Sequence, residues 1–155
     1  MQVERSEIPL AYHITWTTYG TWLPGDDRGW VDRSVDGVQR PDIGRNCLAR
    51  NLMTEEPVAL TPEQRDVLRR TIVDHCALRQ WKLHSVNVRS SHVHVVLTAD
   101  RPPDDVMNQL KSWCSRRLNE RWPGRKKWWA YHGSTKWIWD TSYLDEAVDY
   151  VSNRQ

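Results

Sequence analysis

The most constraining feature of this sequence is a short apolar run that carries two histidines, Ser-Ser-His-Val-His-Val-Val-Leu-Thr at residues 90–98. Side chains alternate between the two faces of a strand, so His92 and His94 point to the same side, about 7 Å apart along the chain. The alternate residues, two valines and a leucine, point to the other side. The run therefore predicts a strand with one core-facing side and one side that presents two imidazoles, a pair suited to binding a metal ion or facing a phosphate.

The histidine pair alone is a weak motif. Six histidines in 155 residues produce a His-x-His by chance roughly 0.2 times. An incidental pair therefore stays open as the alternative. A working metal site also needs a third ligand and a reactive group from elsewhere in the chain.

The length and composition predict one soluble domain. A chain of 155 residues is long enough for a single core, so residues 1–155 are expected to form one unit. We find no run of 18 apolar residues and no basic-then-apolar start, which predicts an unexported, cytoplasmic protein. The three cysteines, Cys47, Cys76 and Cys114, are widely spaced. Their spacing favours reduced thiols and argues against a cysteine zinc site.

Positive charge is concentrated between Lys111 and Lys136, although the chain as a whole carries only +2. This basic block holds eight lysines and arginines against one acid, Glu120, and several of the ten tryptophans lie in or beside it. Basic side chains hold phosphates and aromatic rings stack on bases at about 1 to 3 kcal/mol each, so the block predicts contact with single-stranded nucleic acid. A solvated helix face is the alternative for the charges, and burial in a core is the alternative for most of the tryptophans.

The hydrophobic periodicity predicts seven elements with the order β-α-β-β-α-β-α. They are a strand at 11–18, a helix at 61–80, strands at 81–89 and 92–98, a helix at 102–122, a short strand at 136–140 and a last helix from 141 onward. Thr61, Pro62 and Gln64 form a helix-start signature with a capping box. The buried stripe of that helix is expected to be Leu68, Ile72 and Cys76, with Val73 and Ala77 beside them. Residues 19–44 have no sustained period and are predicted to be a long ordered loop.

This order is typical of the ferredoxin-like α+β fold, an antiparallel sheet with two helices on one face. In that arrangement the strand with the histidine pair is central. Its histidines face away from the two main helices, where only the last helix could cover them.

The chain resembles the single-tyrosine HUH transposases of bacterial insertion sequences, particularly the REP-associated tyrosine transposases. Four segments carry the resemblance and are spread over nearly the whole chain: 16–26 (Trp-Thr-Thr-Tyr-Gly-Thr-Trp-Leu-Pro-Gly-Asp), 87–94, 132–135 and 147–151. The resemblance implies the ferredoxin-like core, homodimers, and single-stranded DNA substrates folded into hairpins. It also implies a divalent ion, Mg²⁺ or Mn²⁺, held by His92, His94 and a polar residue of the last helix, with Tyr150 as the nucleophile.

The chemistry of the residues agrees with that role. A tyrosine hydroxyl has a pKa of about 10 and is a poor nucleophile at neutral pH, so it needs a Lewis acid at the scissile phosphate. The residues predicted to contact DNA are Lys111, Arg116, Arg117, Arg121, Arg125, Lys126, Lys127, His132 and Lys136.

Two positions depart from the family pattern. The simplest members carry a glutamine four residues after the tyrosine, where this chain has Arg154, and the glutamine here is Gln155. Five residues correspond to about 140° around a regular helix, so Gln155 reaches the ion as the predicted third ligand only if the helix frays or widens. The other departure is Ser91, where many relatives carry Asn or Asp.

The leading hypothesis is a metal-dependent DNA strand transferase that cuts one strand and forms a 5′-phosphotyrosine. The alternatives are a domesticated, non-catalytic hairpin-binding protein and a metal-dependent hydrolase, for which no paired carboxylates lie near the histidines. Tyr143, seven residues before Tyr150 on the same helix, is the competing nucleophile. Tyr150 is preferred because it matches the family position and precedes a polar stretch that could ligate metal or phosphate.

Overall fold

The computed structural model describes residues 8–21, 30–31 and 37–153, with the backbone alone at 30–31. Its elements in chain order are β1 (Ala11–Thr17), β2 (Trp30–Val31), β3 (Val38–Gln39), α1 (Ile43–Asn51), α2 (Pro62–Arg79), β4 (Lys82–Val88), β5 (His92–Thr98), α3 (Pro103–Arg121), β6 (Ser134–Ile138) and α4 (Thr141–Asn153). Within these ranges the main sheet has four strands and is antiparallel, with the order β4-β5-β1-β6.

The sheet order confirms the ferredoxin-like prediction. Helix α2 connects β1 to the edge strand β4, and α3 connects β5 to the other edge strand β6. Each connection therefore skips a strand, which is the split β-α-β pattern. The central pair is β1 and β5, so the side chains of β1 lie directly beside those of the histidine strand.

The main core lies between the sheet and helices α2 and α3. Trp16 of β1, Val95 of β5, Leu68 of α2 and Leu110 of α3 belong to it, and all four are fully buried. Strand alternation and helical spacing put these apolar residues on the faces that meet.

A smaller core forms on the opposite face of the sheet, beneath α4. It joins Val96 of β5 and Ile138 of β6 to Ala147 and Val151 of α4. Because Val96 alternates with Val95, it points to the same face as His92 and His94. The prediction that the last helix covers the histidine face is therefore confirmed.

The start of α2 agrees with its sequence signature. The Thr61 side chain accepts a hydrogen bond from the Gln64 backbone N–H, and the Gln64 side chain accepts one from the Thr61 backbone N–H. The predicted buried side of α2 was wrong at two of its positions, because Val73 and Ala77 are exposed. His75 is buried in their place, with its Nε2 3.1 Å from Gln109 Oε1 of α3.

Much of the long loop predicted at 19–44, namely residues 22–29 and 32–36, lies outside the described residues, and the described part of it differs from the prediction. The structure places the paired strands β2 and β3 within it, and α1 begins at Ile43. Strands of two residues are too short to show periodicity. Helix α1 has no buried residue and so has no apolar stripe to detect, although Asp42 caps it by accepting a hydrogen bond from the Arg45 N–H. Across the described ranges, no helix combines the length and apolar character that crossing a membrane requires.

Candidate active site

Strand β5 places His92 and His94 side by side on the α4 face, with ring centroids 4.9 Å apart. His94 is only 7% exposed, whereas His92 is half-buried. The Nδ1 atom of each ring is 3.0 Å from a hydroxyl oxygen, Ser91 Oγ for His92 and Thr15 Oγ1 for His94. Both rings are thus held by the Nδ1 side.

This donor arrangement fits part of a metal site. A metal-ligating imidazole usually bonds through its second nitrogen to an oxygen, which fixes its tautomer and orientation. Both histidines have such a partner. In the ranges the structure covers, no cluster of three or more His, Cys, Asp or Glu side chains is arranged to hold a metal ion. The third ligand predicted from the sequence, Gln155, lies outside the described residues, as does Arg154.

A third histidine, His13 of β1, belongs to the same cluster and was missed as a site residue. Its Nε2 lies 3.2 Å from His94 Nδ1. Burial lowers the pKa of His13, and the positive charge of Lys136 on the neighbouring strand lowers it further. The signal was present in the sequence, because His13 and Thr15 are two residues apart and share the polar side of β1. The predicted fold puts β1 next to the histidine strand.

Helix α4 brings Tyr150 to this cluster. The Tyr150 ring centroid is 6.0 Å from that of His94 and 6.3 Å from that of His13, both in edge-on arrangements, and Tyr150 remains 44% exposed. Tyr143 packs against the smaller core at the start of the helix, where its backbone N–H is bound by the Asp140 carboxylate. The structure thus brings Tyr150 to the histidines and places Tyr143 in a packing position.

Two polar contacts fix the end of α4 next to Tyr150. The Asn87 side chain of β4 donates from Nδ2 to the carbonyl oxygen of Val151 at 2.9 Å. The hydroxyl oxygens of Ser85 and Ser152 are 2.7 Å apart. Tyr150 therefore belongs to a helix that is attached to the sheet by both apolar and polar contacts.

The basic residues of α3 lie on the other side of the sheet from the histidines. Arg116 and Arg117 stand over the Trp113 ring, at 4.6 and 5.9 Å from its centroid, and Arg121 stands over the Trp122 ring at 4.7 Å. Since α3 packs on the main-core face, these three cations do not border the histidine cluster.

The ammonium group of Lys111, predicted from the sequence to contact DNA, is bound by backbone carbonyl groups of the protein itself. It donates to the carbonyl oxygens of Ala130 and His132, at 3.1 and 3.0 Å. Burial lowers its pKa. Lys111 thereby ties the segment between α3 and β6 to the helix.

The remaining basic residues divide between that segment and β6. Arg125 pairs with Glu55 at 3.8 Å, and the backbone N–H groups of Lys126 and Lys127 donate to the same carboxylate. A cavity of about 490 Å³ opens beside them. It is lined by Tyr19, Lys111, Ser115, Lys126, Lys127, Trp128, Trp129, Ala130 and Tyr131.

Lys136 lies on β6, directly opposite His13 in the pairing register of β1 and β6. Register partners point to the same face of a sheet, so Lys136 is on the face that carries the histidines. Among the described basic residues of the block, it alone has this position.

The fold and this cluster define a ferredoxin-like α+β protein with a histidine pair on a central strand and a tyrosine presented by a covering helix. The sequence matches the family described as "Transposase IS200 like" over residues 53–154, which is more than half of the chain. The protein therefore belongs to the IS200-like transposase family.

The solved structures that share the fold include two that cover nearly the whole of this chain. One is a REP-associated tyrosine transposase bound to a REP hairpin, with a TM-score of 0.54 and 16% identity over 97% of this chain and 70% of that chain. The other is a candidate transposase from Deinococcus radiodurans R1, with a TM-score of 0.53 and 17% identity over 100% of this chain and 98% of that chain. At these identities the likeness concerns the fold alone. No curated protein sequence matches the chain.

Proposed function

We propose that this protein is a metal-dependent single-stranded DNA transposase that cuts and rejoins DNA at hairpin-flanked sites through a 5′-phosphotyrosine. Family membership supports the transposase role. The observation that carries the finer proposal is the position of Tyr150, whose ring lies 6.0 Å from that of His94 on the face covered by α4. Residues 1–155 act as one domain in this proposal.

The reaction assigned to Tyr150 is a transesterification. Its hydroxyl oxygen attacks the scissile phosphorus and loses its proton, an Oη–P bond forms, and the bond from phosphorus to the 3′ oxygen breaks. The 3′ oxygen takes up a proton and leaves as a free hydroxyl, while the 5′ phosphate stays on the tyrosine. The reverse attack by a 3′-hydroxyl rejoins the strands and restores the phenol.

His92 and His94 would hold the divalent ion, Mg²⁺ or Mn²⁺, with Gln155 as the proposed third ligand. When bound, such an ion polarises the phosphate and offsets charge that develops on its oxygens. The 44% exposure of Tyr150 supports this scheme, because a nucleophile for DNA must be reachable by a large substrate. The hairpin substrate, the homodimer and the cytoplasmic location expected from the sequence stay predictions.

The proposal is tested by incubating the protein with single-stranded DNA from the flanks of its own gene, in Mg²⁺ or Mn²⁺. We expect a covalent adduct on denaturing gels, and we expect Tyr150→Phe to abolish it because the attacking oxygen is removed. Folding and DNA affinity should change little, since one exposed hydroxyl is removed.

Tyr143→Phe is the matched control, since it removes the same atom seven residues earlier on the same helix. It should still form the adduct. Adducts only from Tyr150→Phe would move the nucleophile to Tyr143. Binding of the DNA by the wild-type protein without any adduct would favour a hairpin-binding protein instead.

A further inference from the structure

Three polar atoms meet behind the His94 ring. Thr15 Oγ1 lies 3.0 Å and His13 Nε2 lies 3.2 Å from His94 Nδ1, and these two atoms are 3.5 Å from each other. Both residues come from β1, and the pairing register puts Thr15 directly opposite His94 with His13 on the diagonal. His94 is therefore held by the neighbouring strand.

The proton positions in this triangle follow from the chemistry of the groups. A ring nitrogen that ligates an ion carries no proton, so a ligating His94 keeps its proton on Nδ1 and uses Nε2 as the ligand. The Nδ1–H group then needs acceptors. Thr15 Oγ1 can accept it, and His13 accepts only if its own proton is on Nδ1, which leaves the lone pair on Nε2.

We propose that His13 is a positioning residue, which acts with Thr15 to hold His94 as the Nδ1–H tautomer so that His94 presents Nε2 to the candidate site. The catalytic meaning of this role rests on the whole proposed function, whereas the tautomer rests only on the part of it in which His94 ligates an ion. His13 also lies beside Tyr150, with ring centroids 6.3 Å apart. One side chain of β1 thus contacts both the proposed ligand and the proposed nucleophile.

The geometry favours this role over direct metal binding by His13. Its Nε2 points at His94 Nδ1, and a lone pair engaged by that proton is not available to an ion. Among the residues that the structure describes, His13, His92 and His94 also lack the arrangement of a three-ligand site.

The test compares His13→Gln with His13→Asn. The amide oxygen of glutamine falls near the position of the imidazole Nε2 and can accept the same hydrogen bond, whereas that of the shorter asparagine cannot reach it. His84→Gln is the control, because His84 bonds to Thr98 Oγ1 at 2.8 Å and does not contact the cluster. Circular dichroism checks that each variant is folded.

The first measurement is nitrogen-15 NMR of labelled histidines without DNA or metal, at about pH 8, where an ordinary imidazole is neutral. We expect His94 to be the Nδ1–H tautomer in the wild-type protein, in His13→Gln and in His84→Gln, and to be a mixture of tautomers in His13→Asn. The second is Mn²⁺ affinity by calorimetry, which should fall about 10- to 100-fold in His13→Asn alone.

Two results would overturn the proposal. One is a His94 that carries its proton on Nε2 in the wild-type protein. The other is an equal loss of Mn²⁺ affinity in His13→Gln and His13→Asn, which would make His13 a ligand or a packing residue. A wild-type protein that shows the expected tautomer but forms no DNA adduct would refute the proposed function and leave the positioning role intact.

Discussion

The side chains of the candidate site differ in burial in a way that suits the two roles proposed for them, metal ligand and nucleophile. His94 is 7% exposed and held by hydroxyl and imidazole partners, whereas Tyr150 is 44% exposed at the helix surface. A buried ligand with fixed neighbours keeps its orientation at low cost when an ion binds. An exposed phenol on the covering helix can meet a polymer that never enters the protein.

His92→Ala and His94→Ala should each reduce adduct formation by at least about 100-fold while hairpin affinity changes little. In the proposed mechanism the ion acts on the scissile phosphate, whereas affinity comes from basic side chains. The measurements are adduct yield on denaturing gels and affinity by fluorescence anisotropy. His84→Ala removes a histidine from the next strand and should leave both unchanged. Parallel losses of binding and cleavage would mean that the histidines contact the DNA itself.

For the single residues of the site, the sequence predicts which side chains share a strand face but not which side chains of different strands come into contact. The alternation of residues 92–98 was enough to place His92 and His94 on one face. His13 belongs to the cluster because it lies diagonally across from His94 on the neighbouring strand, about 80 residues away in the chain. Alternation within one strand carries no information on the register between two strands. The fold prediction could have directed attention to β1, because the first and third strands of a ferredoxin-like sheet, here β1 and β5, are neighbours.

Among the elements, α4 has the most direct bearing on the proposed function because its attachment decides where Tyr150 lies. Val151, the residue after the tyrosine, is fully buried, and its carbonyl oxygen accepts a hydrogen bond from Asn87 of β4. Both the side chain and the carbonyl group of Val151 are thus held by the sheet. The tyrosine is therefore one position away from an anchored point of the helix.

Asn87→Ala should lower the free energy of unfolding by about 1 kcal/mol and leave the Val151 carbonyl without that donor. We expect faster amide hydrogen exchange at the end of α4 and slower adduct formation, because Tyr150 loses a fixed position. Asn153→Ala is the control, since the Asn153 side chain bonds within its own helix, to Asp149 at 3.0 Å, and such exposed pairs contribute a few tenths of a kcal/mol. Equal effects of both variants would show that the link between α4 and β4 has no special role.

A second link between elements should make stability depend on pH. The Thr98 hydroxyl donates its proton to the Leu10 carbonyl at 2.6 Å, so it accepts from His84 Nε2. Burial lowers the pKa of His84, and the charge of Lys82 lowers it further. The folded protein therefore binds fewer protons at this site than the unfolded chain does near pH 6.

The free energy of unfolding should accordingly fall as the pH drops from about 7 through the lowered pKa of His84, and reach a plateau below it. His84→Gln should reduce this slope, which urea unfolding at a series of pH values measures. Part of the slope will remain, because the pKa of His13 is lowered as well. A variant with the full wild-type slope would show that His84 has a similar pKa in both states.

The elements differ in how well the sequence predicts them, and the reason is burial. Helix α2 has a capping box and a buried stripe, and both are visible in the residue pattern. Helix α1 buries no side chain, so only its Asp42 cap could have indicated it. Val73 and Ala77 were assigned to the stripe by spacing, but the neighbouring helix covers the side of α2 that holds His75 instead.

For the whole molecule, the sheet separates two sets of charges that are continuous in the sequence. Arg116 and Arg117 project from α3 on the main-core side, where Arg117 lines a cavity with His75 and Trp113. Lys136 lies on the opposite face beside His13. The basic block in the sequence predicted a single positively charged surface, whereas in the structure its residues are distributed over more than one surface. DNA that uses both surfaces must therefore pass around the edge of the sheet.

The last prediction uses this separation. Reversing Arg116 and Arg117 together to glutamate should weaken hairpin binding and flatten its dependence on salt, by a slope of about 0.7 to 0.9 for each phosphate that the protein no longer neutralises. The Arg117–Glu120 ion pair is exposed, so its removal should have little effect on stability. Because these arginines lie away from the histidine cluster, DNA bound at saturating concentration should still form the adduct. Arg69 and Arg70, both exposed on α2, give a control double reversal with the same change in net charge. Two results would contradict this prediction: a salt dependence of binding that the double reversal at Arg116 and Arg117 leaves unchanged, or equal flattening by both double variants. Either would exclude the α3 arginines from the DNA-binding surface and restrict that surface to the remaining basic residues.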